Sequence, residues 1–166
     1  MHSRDFRFLP ALRFHPDTPP FTPDSAGDSP DPTRRTTLFS TPILIVEDES
    51  MIAWMIEDIL LAAGFTAVAM APDGDSALAE AARTPPGLIV SDVNLGPGAD
   101  GIATARTIIA ARAAAGTSSP GVIFITGYAD DMMRQRLSAE LPAAQLLRKP
   151  VEPNALTRAV MRALAS

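Results

Sequence analysis

The sequence predicts an α/β fold: an open, doubly wound sheet of five parallel strands with helices on both faces. Two observations predict this fold. Short, continuously apolar runs alternate five times with amphipathic stretches after residue 40, and such runs are typical of strands buried on both faces of a parallel sheet. The number of units favours an open sheet, because a closed barrel needs eight units and about 250 residues.

The first two units each begin with an apolar run and continue with a helical pattern. Residues 42–46 are continuously apolar and are predicted to form the first strand. Isoleucines then recur at helical spacing, which predicts a helix over 50–63 that ends before Gly64. A weaker apolar run predicts a second strand over 66–70, and an Ala-rich segment predicts a helix over 75–83.

The remaining three units repeat this pattern. Gly116 is predicted to end the third helix and Pro142 the fourth. The predicted strands of these units are 88–91, 121–125 and 145–147, and the predicted helices are 102–115, 130–141 and 153–165. Together with the first two units they complete five strands and five helices.

Residues 1–40 differ from the rest of the chain. They hold seven of the 16 prolines and a single glycine, Gly27, a composition that cannot form a periodic core face. We therefore expect a disordered, Pro-rich N-terminal tail before a domain that spans residues 41–166. The alternative is that translation starts nearer Leu38, in which case the tail is a start-site artefact.

The composition excludes several kinds of chemistry. The chain has no Cys, which excludes thiol catalysis and Cys-ligated metals. Both of its histidines, His2 and His15, lie in the tail, which disfavours a His-based triad or a multi-His metal site. A formal net charge of −5 disfavours binding to a nucleic-acid backbone. No apolar run reaches the ~18–20 residues that a membrane span needs, and we expect a cytoplasmic protein. Carboxylates, hydroxyls and Lys149, the only lysine of the chain, remain for chemistry.

Polar residues follow four of the predicted strands at the point where each strand ends. Glu47 and Asp48 follow the first strand, Asp92 the third, Thr126 the fourth and Lys149 the fifth. The carboxyl ends of parallel strands meet at one edge of the sheet, where ligands bind in this architecture. Each residue alone has an ordinary structural explanation, such as a helix cap, a strand hydroxyl or a surface cation, but their joint position predicts a site.

The residue types at this edge indicate phosphoryl transfer. Neighbouring carboxylates repel each other unless a cation lies among them, and oxygen ligands without His or Cys select a hard ion such as Mg²⁺. A carboxylate beside Mg²⁺ can attack phosphorus and become an aspartyl phosphate. Lys149 would then neutralise the phosphoryl oxygens, and Thr126 would hydrogen-bond them.

Residues 43–165 resemble the receiver domain of two-component response regulators, which has the CheY-like (flavodoxin-like) fold. The segments that match are 43–49, 88–92, 100–101, 124–128 and 149–150. The resemblance implies the strand order 2-1-3-4-5 and a cis peptide bond between Lys149 and Pro150, which is common in this family. It also implies a phosphoprotein that takes its phosphoryl group from a sensor histidine kinase or a histidine phosphotransfer protein.

The resemblance further implies a metal site at this edge. Asp92 would accept the phosphoryl group and bind Mg²⁺, and Asp48 would bind the ion directly. Glu47 would bind the ion through water, and Asn94 would offer its backbone carbonyl.

Two more residues would act on the phosphoryl group in this family. Thr126 would hydrogen-bond it on switching, and Lys149 would pair with Asp92 or its phosphate. The domain would thus assist its own phosphorylation and dephosphorylation without turning over a free metabolite. Because the chain ends soon after the fifth helix, we expect a single-domain regulator that binds a downstream protein through helix four, strand five and helix five, and neither nucleic acid nor a membrane.

The sequence departs from the common receiver pattern in two places. Leu95-Gly96-Pro97 replaces the usual Met-Pro after Asp92, in a loop that is one residue longer, and Leu146 replaces the usual aromatic three residues before the lysine. Residues 124–128 instead resemble a receiver subgroup with a Phe-x-Thr-Gly-x-Tyr motif at the fourth strand. In that case Tyr128 or the following helix would carry the switch; the alternative is that Tyr128 only packs over the loop.

Two other functions remain open at this point. A pseudo-receiver would bind partners without taking a phosphoryl group, and the altered loop after Asp92 leaves room for that function. A small aspartate-nucleophile phosphatase usually has a second Asp, two residues after the nucleophile, as its general acid. That position is Asn94 here, and an amide cannot serve as the acid.

Overall fold

The computed structural model of the chain describes residues 37–96, 100–127 and 130–165. These residues form one five-stranded parallel sheet in the order β2-β1-β3-β4-β5. The strands are β1 (Ile43–Val46), β2 (Val68–Ala71), β3 (Leu88–Asp92), β4 (Gly121–Thr126) and β5 (Gln145–Arg148). The helices are α1 (Ser50–Ala62), α2 (Gly74–Arg83), α3 (Gly101–Ala114), α4 (Asp131–Glu140) and α5 (Pro153–Ala165).

The predicted fold class and strand order are confirmed. Each predicted bound lies within two residues of the observed one, and the largest difference is the start of β2, at Val68 instead of residue 66. The order places β1 and β3 next to each other in the middle of the sheet and β5 at one edge. The strand ends that carry the candidate residues are therefore neighbours in space.

Alternate residues of each central strand face opposite sides of the sheet. In β1, Ile43 and Ile45 belong to a core cluster that also contains residues of α1 and α5. Leu44 and Val46 belong to a second cluster, with residues of α2, α3 and α4. A strand has a period of two residues, so a continuously apolar run is what a sheet covered on both faces requires.

A helical turn at residues 37–39 precedes β1 and packs on the domain. The ring of Phe39 lies 5.3 Å from that of Phe65, centroid to centroid, and the Thr66 amide donates a hydrogen bond to the Phe39 carbonyl at 2.9 Å. Phe39 thus covers the end of the first core cluster, although it precedes the boundary at residue 41 that the sequence suggests.

Three helices begin at an aspartate whose side chain accepts a hydrogen bond from a backbone amide of the first turn. Asp73, Asp100 and Asp130 are the N-caps of α2, α3 and α4, respectively. Such caps satisfy amides that have no partner inside the helix. No helix in the three described ranges has the length and apolar character of a membrane-spanning segment.

Candidate functional site

Side chains from the ends of β1, β3 and β5 converge at the carboxyl edge of the sheet. The ammonium of Lys149 lies 2.6 Å from Asp92 Oδ2 and 3.0 Å from Glu47 Oε1, and it donates a hydrogen bond to each. Glu47 and Asp92 are only 3% and 8% exposed, respectively. This placement follows from the strand order, because β1 and β3 are adjacent and the chain turns at Lys149 directly after β5.

Three carboxylates form a compact cluster beside this lysine. One oxygen each from Glu47, Asp48 and Asp92 lie within 4.8 Å of one another. Glu47 Oε2 is buried and accepts no hydrogen bond from any described residue, although it lies 3.0 Å from the Lys149 ammonium. A buried carboxylate oxygen without a donor calls for a cation or a bound water, so these residues fit a site for a hard divalent ion.

Burial and pairing act in opposite directions on the charged groups of the cluster. Burial raises the pKa of Glu47 above its usual value, and the neighbouring Lys149 offsets this only in part. For Lys149, burial favours the neutral amine, but the hydrogen bonds and charges of Asp92 and Glu47 outweigh burial and raise its pKa. Lys149 therefore stays cationic. Without a metal ion, three carboxylates face one ammonium, so the cluster keeps an excess of negative charge.

Thr126 ends β4, the strand between Asp92 and Lys149 in the sheet. The residue is completely buried, and its carbonyl accepts a hydrogen bond from the Lys149 amide at 2.8 Å. A Cβ placed on the next residue, Gly127, would meet no described atom within 4 Å. Among the described residues, none therefore fills the space beside the backbone of Gly127.

The Lys149–Pro150 peptide bond is cis, as the resemblance implies. It lies directly after β5, where the chain turns from the sheet towards α5.

The loop after β3 folds back over the end of that strand. The Asn94 amide donates a hydrogen bond to Asp92 Oδ1 at 3.1 Å, and Asn94 forms an antiparallel bridge with Asp100. A Cβ on Gly101 would lie 1.9 Å from the Asp92 carbonyl oxygen, so only glycine allows this approach. Gly96, with φ +72°, lies where a Cβ would contact Asp48 Oδ2 at 3.4 Å.

Some sequence predictions about switching concern residues outside the described ranges. Tyr128 is one, so its role stays a prediction; it follows Gly127 directly, one position earlier than in the subgroup motif. Pro97 is another. Leu146, which replaces the usual aromatic, is half-buried and packs with α4 in the second core cluster.

The sequence did not single out Arg136 of α4, which forms an ion pair with Asp100. The two residues are 36 positions apart, and neither lies in a motif that suggests the contact. The contact arises in the folded structure, where the N-cap of α3 and the side chain of a residue of α4 meet.

The chain resembles known receiver domains over most of its length. A profile of the response regulator receiver domain matches residues 43–161. The phyllosphere-induced regulator PhyR of Methylorubrum extorquens is 31% identical over 127 residues, which cover 75% of this chain and 44% of PhyR. The probable chemotaxis protein CheY of Rhizobium etli is 31% identical over 108 residues, covering 65% of this chain and 80% of that protein.

Solved structures show the same likeness. The chemotaxis protein CheY4 of Vibrio cholerae superposes with a TM-score of 0.66 at 28% identity, over 75% of this chain and 99% of that chain. The chain spans less than half the length of PhyR, so the likeness concerns only the matched part of that protein. The matched range starts at β1 and ends within α5, and it contains the whole carboxylate cluster. The chain therefore belongs to the response regulator receiver family of two-component systems.

Proposed function

We propose that this receiver accepts a phosphoryl group on Asp92, in a Mg²⁺-dependent reaction, from a sensor histidine kinase or a histidine phosphotransfer protein. The observation that carries the proposal is the Lys149 ammonium between Asp92 and Glu47 in a cluster of three carboxylates. A carboxylate can act as a nucleophile towards phosphorus only if nearby cations offset the charge that accumulates. The family supports a cytoplasmic protein of this kind.

In the proposed reaction, a carboxylate oxygen of Asp92 forms a bond to phosphorus as the bond between phosphorus and the donor's imidazole nitrogen breaks. The nitrogen keeps the electron pair of that bond. Asp48, Asp92 and the Asn94 carbonyl would hold Mg²⁺, with Glu47 bound through water, and the ion would neutralise charge on the phosphoryl oxygens. Lys149 orients Asp92 and contributes a second positive charge.

Thr126 has a separate role in the proposal. Its hydroxyl belongs to a buried residue that ends β4, next to Asp92 on β3 and Lys149 after β5. After phosphoryl transfer, a hydroxyl at this place can hydrogen-bond a phosphoryl oxygen. That new bond would favour one of two arrangements of the loop and α4, which is how a local charge change alters a binding surface.

The surface that would carry the signal is formed by α4, β5 and α5. β5 is an edge strand, and the guanidinium of Arg162 lies along it, 3.0 Å from Gln145 Oε1. Arg158 is one helical turn earlier on α5, and Arg148 ends β5; all three arginines are exposed. A downstream partner that docks here should present acidic residues, because like charges across an interface are costly.

The decisive experiment is intact-mass analysis after incubation with acetyl phosphate and Mg²⁺. Wild type should gain one phosphoryl group, and Asp92→Asn should gain none. The matched control is Asp58→Asn, which removes an exposed carboxylate of α1 and should still gain the group. EDTA should abolish the adduct in wild type, because Mg²⁺ is needed to offset the charge of the cluster.

Two outcomes would favour the other functions. If wild type gains no group after rapid acid quenching, and beryllium fluoride leaves the fluorescence of Trp54 unchanged, the domain is a pseudo-receiver. Trp54 is the only tryptophan and is 58% exposed. It lies in the second turn of α1, the helix that begins directly after the acidic residues 47–49, and we expect its emission to respond to binding at the cluster. Steady turnover of a phosphomonoester such as p-nitrophenyl phosphate, lost in Asp92→Asn, would instead indicate a phosphatase.

A further inference from the structure

The loop after β3 is tied to the core and to the phosphoacceptor. Val93 and Leu95 are 5% and 4% exposed and pack in the second core cluster, while Asn94 between them is exposed. The Asn94 amide binds the Asp92 carboxylate, and the Gly101 amide donates to the Val93 carbonyl at 2.9 Å. The backbone that holds Asn94 is thus fastened at both of its ends.

Asp100 lies at the far end of this loop, next to Gly101, and both of its carboxylate oxygens have a partner. Oδ1 accepts the Ile102 amide at 2.9 Å and so caps α3. Oδ2 lies 2.5 Å from Nη2 of Arg136 on α4. Asp100 also forms a backbone bridge with Asn94, the residue that would offer its carbonyl to Mg²⁺. Arg136 is therefore connected to Asn94 through one intermediate residue, Asp100.

The guanidinium of Arg136 connects two carboxylates. Its Nε donates to Glu140 Oε1 at 2.9 Å, and Glu140 Oε2 in turn accepts from Arg106 of α3 at 2.9 Å. The planar fork of arginine suits this geometry, which a single ammonium could not reproduce. The side chains of Arg136 and Asp100 are 41% and 34% exposed, so the pair adds little to global stability, and its effect should be local.

We infer that Asp100 and Arg136 are positioning residues for the Mg²⁺ site: their ion pair ties the loop that carries Asn94 to α4. This inference rests on the proposed Mg²⁺-dependent phosphoacceptor function. The loop differs in length and sequence from the common receiver pattern at residues 95–97, and the ion pair connects its far end, at Asp100, to α4. The same contact joins the metal site to a helix of the proposed docking surface, so each affects the other.

The direction of the effect of Arg136→Gln on Mg²⁺ affinity separates positioning from simple electrostatics. Removing a cation and leaving Asp100 unpaired makes the neighbourhood more negative, which by Coulomb attraction would tighten Mg²⁺ binding. Loss of positioning would weaken it. Changes in residues around metal ligands often weaken binding roughly 10–100-fold; for a half-exposed pair we expect about 3–10-fold.

The experiment measures Mg²⁺ dissociation constants of the full chain by Trp54 fluorescence, with calorimetry as a second readout. Arg136→Gln should bind Mg²⁺ about 3–10-fold more weakly than wild type. Asp100→Asn keeps an N-cap side chain and should show a similar loss, and the double variant should be no weaker than the weaker single variant. Arg136→Lys, which cannot form the fork, should fall between wild type and Arg136→Gln. The matched control is Arg106→Gln, which breaks a contact with the same Glu140 but leaves Asp100 paired.

Each result has a separate meaning. Equal or tighter Mg²⁺ binding by Arg136→Gln, or losses in the two single variants that add up in the double variant, would overturn the inference and leave the proposed function standing. If wild type itself binds no Mg²⁺, the proposed function fails and the inference falls with it. Urea unfolding of each variant shows whether the fold is intact, and Arg136→Lys keeps the test valid if Arg136→Gln is poorly folded.

Discussion

The two halves of the domain differ in charge and in what they contribute to the site. Residues 41–96, with β1, β2 and β3, contain nine acidic residues and one arginine, Arg83. Residues 100–165, with β4 and β5, contain five acidic residues and eight cations. The first half supplies all three carboxylates of the cluster, and the second half supplies Lys149 and Thr126.

This difference shows that neither half can form the site alone. Glu47 and Asp92 are buried, and buried carboxylates are unfavourable without a cation close to them. The first half has no cation near them, because Arg83 pairs with Glu80 at the end of α2. Among the described residues, it is the turn after β5 that brings a positive charge, that of Lys149, to the cluster. The chain has 13 arginines and one lysine, and the lysine stands where a compact ammonium must fit between two carboxylates.

The largest effect is expected for Lys149→Met, which removes the charge that the second half contributes but keeps most of the side-chain volume. The rate of phosphorylation by acetyl phosphate should fall about 100-fold, because a preorganised charge is lost at the reacting oxygens. The free energy of unfolding without Mg²⁺ should fall by about 2 kcal/mol, since breaking a buried pair leaves its partners uncompensated. Intact-mass kinetics and urea unfolding measure the two effects.

The control is Arg148→Met, which removes the adjacent, exposed cation at the end of β5 and should change neither quantity appreciably. If Arg148→Met slowed phosphorylation as much as Lys149→Met does, the rate would depend on the net charge of the second half. The contact between Lys149 and Asp92 would then not be the cause.

A smaller effect, with a defined pH dependence, is expected for Glu47→Gln. Burial raises the pKa of Glu47, so the folded Mg²⁺-free protein binds its proton more tightly than the unfolded chain does. At a pH above the pKa of Glu47 in the folded protein, its ionised carboxylate lowers the free energy of unfolding. This loss disappears as the pH falls below 4.5, the ordinary pKa of the side chain, because Glu47 is then protonated in both states. At pH 7 without Mg²⁺, the variant should be more stable than wild type by about 1 kcal/mol, and below pH 4.5 the gain should vanish.

Urea unfolding at pH 7 and pH 4 tests this dependence, with Asp58→Asn as the exposed control. A gain of equal size at both pH values would mean that Glu47 acts through packing and not through its charge. With Mg²⁺ at pH 7, wild type should become the more stable of the two proteins. The ion offsets the negative charge of ionised Glu47, and the variant has no carboxylate at this position.

The smallest effect is expected for Arg83→Gln, which removes the only cation of residues 41–96. Its guanidinium is paired with Glu80 at 2.7 Å, but the arginine side chain is 72% exposed. We expect a change of less than about 0.5 kcal/mol in the free energy of unfolding and an unchanged phosphorylation rate. A marked loss of activity would show that the overall charge of the first half matters beyond the contacts of the cluster.

The sequence by itself was sufficient to predict all ten elements, because local signals specify them. The apolar run 42–46 has the length and pattern of a strand covered on both faces. Residues such as Gly64, Gly116 and Pro142 end helices by backbone geometry. The site could also be anticipated from the sequence, since residues that follow parallel strands meet at one edge. The positions of Glu47, Asp92 and Lys149 in the chain were thus enough to expect them together.

The tertiary structure alone decided how these groups contact one another. Asp100 and Arg136 are far apart in the chain and form an ion pair only in the folded structure. The need for glycine at residue 101 arises from the approach of the Asp92 carbonyl. Among the described residues, none donates a hydrogen bond to the second oxygen of Glu47. That outcome depends on how deeply Glu47 is buried and on where the Lys149 ammonium lies, and only the folded structure determines both. Periodicity and turn chemistry act between near neighbours in the chain, whereas these contacts depend on distances between residues far apart in sequence.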